Sequence, residues 1–302
     1  MPTTPRVSSI LSWIFYLVPL YIFVIVPALR MLFPSKQADG LLGDGDYDNG
    51  QVLPALNISD DRFISPEGDA PLNCPADDYR VHIFSRTPLV IYIENFLSEK
   101  EADHLVAVSE GKYEPSTVYD GVSQRVDLSA RRSDRALLER DDIVRCLEER
   151  ARSFQGWRPS LYIERMWVQR YNVSGYYRHH YDWTGASQRA DRVSTFMVYV
   201  NADCTGGGTN FPRLPKPKSQ KWCRFIECDS EDERTEGAQS KPEGVTFKPI
   251  KGNAIFWENL RPDGTGYPET WHAALPVLSG TKVGLNIWSW YQQPVRSQRG
   301  HD

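Results

Sequence analysis

The second half of the chain contains four apolar runs in which the side chains alternate with a period of two. The runs are ERMWVQRYN, RVSTFMVYVN, GNAIFWEN and KVGLNIWSWY, and Gly, Pro and Asn separate them. Their Val, Ile, Phe, Trp and Tyr residues suit a pleated, half-buried surface, so we predict a cluster of short β-strands. Two predicted helices precede them, and this order indicates an α+β domain that is mainly β, built on a barrel or sandwich.

The two helices are predicted from their start and stop signals. Ser98 and Glu101 form a capping-box pattern ahead of apolar residues at helical spacing, and Gly111 ends that segment. The second helix is predicted over DIVRCLEERARSF, residues 142–154, with Gly156 after it. A strand-like run, TPLVIYIENF at residues 87–96, comes before both. A polar insertion at residues 213–243 interrupts the strands, and its length is typical of an active-site flap or a surface embellishment.

The amino-terminal region differs from the rest of the chain. Between Arg6 and Arg30 lie 23 uncharged residues, enough to cross a hydrocarbon layer of about 30 Å as a helix. We predict one membrane-spanning helix within residues 1–35, and a cleaved signal peptide is the alternative. Residues 36–77 are rich in Asp, Gly, Pro and Ser, which predicts a flexible linker. The basic residues on the two sides nearly balance, so they do not define the orientation.

Charge and cysteine content narrow the function classes. The net charge is −4, with 35 basic residues scattered among 39 acidic ones, so the chain offers no electrostatic footprint for nucleic acid. Its five cysteines are too few for a disulfide scaffold. Cys223 and Cys228 stand close together in a polar stretch, as a local disulfide or as free thiols. The sequons at Asn57 and Asn172 are compatible with a lumenal domain.

The stretch GYYRHHYDW contains a candidate metal site. His180 and Asp182 are two residues apart, so on an extended strand their side chains point to the same face and can share one ion, whereas His179 points to the other face. His272 is the candidate third ligand. Two imidazoles and one carboxylate form a facial triad that leaves positions open on Fe(II).

Ten residues beyond His272, Lys282 opens the run KVGLNIWSW. On a strand it shares one face with Gly284, Asn286 and Trp288, opposite the aliphatic face. A lysine buried there needs an anion, and a dicarboxylate cosubstrate would supply one. A zinc hydrolase could use the same triad but would give Lys282 no role.

These motifs, in this order and spacing, resemble the prolyl 4-hydroxylase group of Fe(II)/2-oxoglutarate-dependent dioxygenases. The resemblance spans approximately residues 88–290. It implies a double-stranded β-helix (jelly-roll) core with supporting amino-terminal helices. The implied catalytic domain occupies residues 78–295, and residues 296–302 form a tail.

The resemblance also implies roles for individual residues. His180, Asp182 and His272 look like the iron ligands, and Lys282 looks like the partner of the distal carboxylate of 2-oxoglutarate. Tyr171 and Thr209 match residues that line the same cosubstrate pocket. Tyr177, Trp288 and Arg131 correspond to positions that border the substrate groove in the family. Arg131 and Ser133 are the counterparts of its Arg-X-Ser segment. Gly208 departs from the pattern, since the family has an acidic residue there.

The implied reaction is hydroxylation of an unactivated C–H bond, with release of succinate and CO2. It requires Fe(II), 2-oxoglutarate and O2, with ascorbate as an accompanying reductant. Peptidyl proline is the expected substrate, and a small secondary metabolite is the alternative. With the predicted membrane helix, the resemblance suggests a single-pass protein whose catalytic domain faces the lumen of the endoplasmic reticulum.

Overall fold

The computed structural model describes residues 63–66, 72–119, 124–185, 190–228 and 242–292. The predicted anchor in residues 1–35 and the tail at 296–302 lie outside them. No helix in the described ranges has the length and apolar character needed to cross a bilayer. The elements, in chain order, are β1 (Arg80–Arg86), β2 (Leu89–Glu94), α1 (Glu99–Ser109), β3 (Glu114–Pro115), β4 (Val118–Tyr119), β5 (Gln124–Arg125), β6 (Arg131–Arg132), β7 (Asp134–Leu137), α2 (Asp142–Phe154), β8 (Leu161–Ile163), β9 (Trp167–Tyr171), β10 (Tyr176–His180), β11 (Ala190–Gly206), β12 (Thr209–Phe211), β13 (Val245–Phe247), β14 (Ala254–Glu258), β15 (His272–Ala274) and β16 (Val277–Gln292).

Nine of the described strands form one antiparallel sheet in the order β1-β2-β14-β11-β16-β9-β7-β3, with β8 paired to β16. Its longest strands are β11 and β16, which run side by side from the Ala190–Gln292 pair to the Gly206–Val277 pair. Two of the runs predicted as short strands are therefore parts of strands of 17 and 16 residues. The prediction was too short because apolar alternation marks only the buried part of each strand.

A second sheet has the order β13-β12-β15-β10-β6. Side chains from both sheets meet in a common core, with Tyr199 and Trp257 from the first sheet and Phe211 and Phe247 from the second. Alternate residues of β11 point the other way, and Phe196 belongs to a separate core that includes residues of α1 and α2. The result is a mainly β, jelly-roll-like core, as the predicted fold class requires.

Both helices form where the sequence signals place them. Helix α1 starts after Ser98, whose hydroxyl accepts a hydrogen bond from the Glu101 backbone N–H, while the Glu101 carboxylate accepts one from the Ser98 N–H. Helix α2 is capped by the Asp141 carboxylate. Gly111, two residues beyond the end of α1, has a positive φ that glycine adopts without strain.

The described part of the predicted linker packs against the domain, so the prediction of a flexible segment up to residue 77 was wrong there. Ile64 is buried and forms an isolated β-bridge with Glu164. Cys74 forms a disulfide with Cys146 of α2. The polar composition suggested a linker. It does not reveal these two contacts, because each involves a residue distant in the chain. Strand β1 was also missed, since the first strand-like run was placed at residues 87–96.

The described part of the insertion lies on the surface and packs on the core. Cys223 and Cys228 form a disulfide, which resolves the alternative left open by the sequence. Phe225 stacks on Tyr92 of β2 with ring centroids 4.1 Å apart. Arg213, at the start of the insertion, instead reaches Tyr181, next to the predicted metal ligands.

Candidate active site

The three predicted metal ligands meet in the structure. His180 ends β10 and His272 begins β15, and these neighbouring strands place the two residues directly opposite each other. The Nε2 atoms of His180 and His272 lie 3.6 and 3.8 Å from the two carboxylate oxygens of Asp182. Among the described residues, these three form a cluster whose ligand atoms all lie within 4.8 Å of one another.

Backbone carbonyls fix the orientation of both imidazoles. Nδ1 of His180 lies 2.8 Å from the carbonyl oxygen of Arg178, and Nδ1 of His272 lies 2.9 Å from that of Thr270. A carbonyl oxygen only accepts, so Nδ1 carries the proton in each ring and Nε2 keeps its lone pair. Both lone pairs are therefore available on the side of Asp182, as metal coordination requires.

The charge states suit the same role. Burial, followed by the neighbouring His180 imidazole, lowers the pKa of His272 to about 4, so this ring is neutral at neutral pH. Burial by itself would raise the pKa of Asp182. The two imidazoles and Arg192 outweigh that effect, and the pKa lies below its ordinary value. The cluster thus offers the neutral imidazole of His272 and the carboxylate of Asp182, with Nε2 of His180 on the same side.

A buried hydrogen-bond chain holds Asp182. The Thr195 hydroxyl donates to Oδ2 of Asp182 at 2.9 Å and accepts from the Asn259 side-chain amide at 3.0 Å. The Trp257 indole N–H donates to the Asn259 carbonyl oxygen at 2.8 Å, and its ring lies edge-on to His272. The chain connects two of the three ligands through residues that sequence reasoning missed. No local spacing marks them, because Thr195 and Asn259 are 64 residues apart.

Lys282 is fully buried on the side of β16 that faces away from the aliphatic core, as predicted. Its Nζ donates to the Gly207 carbonyl oxygen at 2.6 Å and lies 4.6 Å from the centre of the Tyr171 ring. Burial lowers its pKa to about 8. It has no carboxylate partner among the described residues, so it is a cation suited to binding an anion.

The two residues predicted to accompany Lys282 are also buried. Tyr171 lies opposite Lys282 in the pairing of β9 with β16. Thr209 begins β12, two residues after Gly207, and its hydroxyl accepts a hydrogen bond from the Tyr199 hydroxyl at 2.8 Å. The structure therefore places Tyr171 against the lysine, and Thr209 follows two residues after the glycine whose carbonyl oxygen binds that lysine.

Comparison with known proteins decides the family. Residues 166–290, which include the triad and Lys282, match the model of the 2OG-Fe(II) oxygenase superfamily. The chain carries a 2OG-Fe(II) oxygenase domain. It is 30% identical to "Probable prolyl 4-hydroxylase 7" of Arabidopsis thaliana over 219 residues, 70% of this chain and 66% of that protein. It is 27% identical to "Probable prolyl 4-hydroxylase 6" of the same plant, over 70% of this chain and 72% of the relative.

The chain thus spans just under two thirds of the length of the first of these relatives. Among solved structures, the oxygenase domain is similar to the viral collagen prolyl hydroxylase of Paramecium Bursaria Chlorella virus-1 in its 2OG complex. The identity is 25% and the TM-score is 0.49, covering 67% of this chain and 96% of that one.

The oxygenase domain has the donor set that its two cofactors need. Two imidazole lone pairs and a carboxylate match the 2-His-1-carboxylate set typical of non-haem Fe(II) oxygenases. A buried lysine that has no acidic partner in the described ranges matches a carboxylate of 2-oxoglutarate. The residues present therefore fit both groups.

A cleft of about 500 Å³ adjoins the triad. The residues predicted to border the substrate groove all line it, namely Tyr177, Trp288 and Arg131. The Tyr177 ring stacks on His180 with centroids 3.7 Å apart, and the Arg131 guanidinium lies 4.6 Å from the centre of the Tyr177 ring. Nε of Arg131 donates to the Ser133 hydroxyl, which links the two residues of the predicted Arg-X-Ser segment.

Sequence reasoning missed a partly buried ion pair in the same cleft. Arg192 donates to both carboxylate oxygens of Glu164, at 2.6 and 2.8 Å, and its guanidinium lies 4.0 Å from the centre of the Trp288 ring. The residues come from β11, the loop before β9, and β16. Nothing in their sequence spacing indicates that they meet.

Two further positions clarify the sequence reading. His179 points away from the triad and bonds Asn210 at 2.9 Å, as its alternation with His180 predicts. A side chain at Gly208 would place its Cβ 2.5 Å from Thr246, so the acidic residue of the family pattern does not fit there. A carboxylate oxygen of Glu227 lies 3.4 Å from that point, so the insertion supplies an acidic group beside it.

Proposed function

We propose that this chain is an Fe(II)- and 2-oxoglutarate-dependent dioxygenase that hydroxylates proline residues in peptides. The observation that carries the proposal is the convergence of His180, Asp182 and His272, with both Nε2 lone pairs held toward the carboxylate. The prolyl 4-hydroxylase relatives and the cleft beside the triad support a peptide as the substrate.

Each group has a defined task in this proposal. When bound, iron and 2-oxoglutarate supply the oxidation of a C–H bond by O2, with release of succinate and CO2. His180, Asp182 and His272 would hold the metal, and Thr195 fixes the carboxylate of Asp182. Lys282 would pair with a carboxylate of 2-oxoglutarate. The aromatic and arginine side chains of the cleft would orient the substrate and exclude water.

The decisive experiment measures succinate release and peptide mass together. The protein is incubated with Fe(II), 2-oxoglutarate, ascorbate and a proline-rich peptide. We expect a +16 Da product at proline and an equal amount of succinate, both lost in His180→Ala. Product analysis after acid hydrolysis then identifies the hydroxylated carbon.

The outcomes separate the alternatives. Succinate release without any hydroxylated peptide, together with oxidation of a small metabolite, would replace the peptide substrate with the small-molecule alternative. No metal-dependent succinate release under any condition would overturn the enzymatic function and leave a binding module.

We also propose that the catalytic domain lies in the lumen of the endoplasmic reticulum, anchored by the uncharged segment between Arg6 and Arg30. The disulfides Cys74–Cys146 and Cys223–Cys228 support an oxidising compartment. The sequons at Asn57 and Asn172 support the same side of the membrane. Protease protection of the tagged full chain in microsomes, with a glycosidase-sensitive mobility shift, tests the proposal. Digestion of the catalytic domain in intact microsomes would contradict it.

A further inference from the structure

The charged residues that line the cleft are mainly basic. Two carboxylates, Glu164 and Asp182, face four arginines, and the arginines are Arg131, Arg135, Arg165 and Arg192. Glu164 accepts two hydrogen bonds from Arg192, which balance its charge, and Asp182 belongs to the triad. The described carboxylates of the cleft therefore leave a surplus of positive charge.

Arg131 and Arg135 differ in burial and in their contacts within the protein. Arg131 is buried, and it donates to the Ser133 hydroxyl and to the Thr117 carbonyl oxygen. Arg135, in β7, lies over the indole of Trp167 in β9, with its central carbon 4.4 Å from the ring centroid. Both Arg135 and Trp167 line the cleft. Arg135 is therefore a cation held against an aromatic surface at the edge of the substrate space.

The carboxylate that Arg135 contacts lies outside the lining of the cleft. Nε of Arg135 lies 3.0 Å from the carboxylate of Glu114, a residue that is half exposed. Such a surface ion pair contributes little, and it involves one of the five N–H groups of the guanidinium. The cation–π contact with Trp167 and the bond to Glu114 hold the guanidinium in place, so its remaining N–H groups are suited to two parallel hydrogen bonds with a carboxylate.

We propose that Arg135, held on Trp167, binds a carboxylate of the substrate, so that the enzyme prefers peptides with an acidic residue near the hydroxylated proline. The inference rests on the proposed function, because it names the class of peptide that the same cleft accepts. The contact lies away from the reacting carbon and is the same in the ground state and the transition state. It therefore acts mainly on KM.

The test compares peptides that differ at one position within three residues of the proline, where Glu, Gln or Lys is placed. We expect kcat/KM to follow Glu > Gln > Lys at one position, with Glu about tenfold above Gln, as for one charge-assisted hydrogen bond at a partly exposed site. The Glu/Gln ratio should fall in high salt, because the pair is partly exposed to solvent.

Variants assign the preference to Arg135. In Arg135→Gln the Glu/Gln ratio should fall to about one, and in Arg135→Glu the Lys peptide should become the better substrate. Arg132→Gln is the matched control, since Arg132 is an exposed arginine of the neighbouring strand β6 that does not line the cleft. It should keep the wild-type ratio.

Two results would overturn the inference. One is a wild-type Glu/Gln ratio near one at every position, and the other is the wild-type ratio in Arg135→Gln. Failure of the proposed function has a different signature, namely that even the Gln peptide is not hydroxylated. In that case calorimetry compares the affinities of the Glu and Gln peptides for the protein loaded with metal and 2-oxoglutarate. Equal affinities would overturn the proposed role of Arg135.

Discussion

The nine-stranded and five-stranded sheets differ in strand length and in the residues that they carry. In the nine-stranded sheet, β11 and β16 pair over most of their length, and the aliphatic side chains of β16 enter a fully buried core. In the five-stranded sheet each strand has two to five residues, yet β10 and β15 supply both histidines of the triad.

This contrast suggests that stability and metal binding depend on different sheets. Long paired strands with apolar faces provide most of the buried area, whereas short strands bring polar residues from distant parts of the chain to one point. The nine-stranded sheet also contributes to the site, for example through Thr195 and Lys282, which lie on the face that points away from the aliphatic core.

The largest expected effect is on the scaffold. Leu285→Ala removes a fully buried side chain of β16, and we expect the free energy of unfolding to fall by about 3 to 5 kcal/mol. Denaturant unfolding measures the loss. Metal titration of the folded variant should give nearly the wild-type affinity, and a parallel loss of metal affinity would contradict the separation of the two sheets.

Lys282→Met tests a residue that belongs to the site but lies in the nine-stranded sheet. The affinity for 2-oxoglutarate should fall by about 2 to 3 kcal/mol, because the variant lacks one partner of a buried charge pair. The unliganded protein should become more stable, since the buried ammonium is replaced by an apolar side chain of similar length. Calorimetry with Mn(II) in place of iron and thermal unfolding test both parts. A less stable variant would show that Lys282 supports the fold.

Thr195→Val separates metal affinity from stability within one strand. It removes the hydroxyl that donates to Asp182, and we expect the metal affinity to fall by roughly 10- to 100-fold. Ser194→Ala is the matched control, because it removes a buried hydroxyl that bonds Gln155 instead. Equal metal affinity in the two variants would show that the hydrogen-bond chain does not orient the ligand.

The pH dependence of cosubstrate binding follows from Lys282. Burial lowers the pKa of Lys282 to about 8, and only the protonated form attracts a dicarboxylate. As pH rises through 8, the free protein loses this proton, so 2-oxoglutarate affinity should fall by up to about tenfold per pH unit. Titrations at pH 7, 8 and 9 measure the slope, and Lys282→Met should lack it. A flat profile in the wild type would exclude Lys282 as the anion partner.

The smallest effect is predicted for His179, the neighbour of a ligand. Its ring bonds Asn210 and faces away from the triad, so His179→Ala should change iron affinity by no more than about threefold. His180→Ala should abolish high-affinity binding. Iron titration of both variants compares them directly. An equally large loss of iron affinity in His179→Ala would show that His180 was wrongly chosen as the ligand.

Local sequence patterns predicted the helices, the pairing of His180 with Asp182 and the face of Lys282. The capping box at Ser98 and the helical segment 142–154 involve neighbours in the chain, and strand alternation fixes which of His179 and His180 shares a face with Asp182. The same alternation placed Lys282 opposite the aliphatic residues of β16. These features were predictable because each depends on backbone geometry over a few residues.

Only the tertiary structure determined how distant residues support and surround that site. Cys74 pairs with Cys146, Thr195 links Asn259 to Asp182, and Arg135 stacks on Trp167, all through contacts between separate elements. Sequence spacing carries no signal for such contacts, because strand register and sheet packing decide them. The sequence alone therefore determined the chemistry of the metal site, whereas the packing of the sheets determined its orientation and the charge of the cleft beside it.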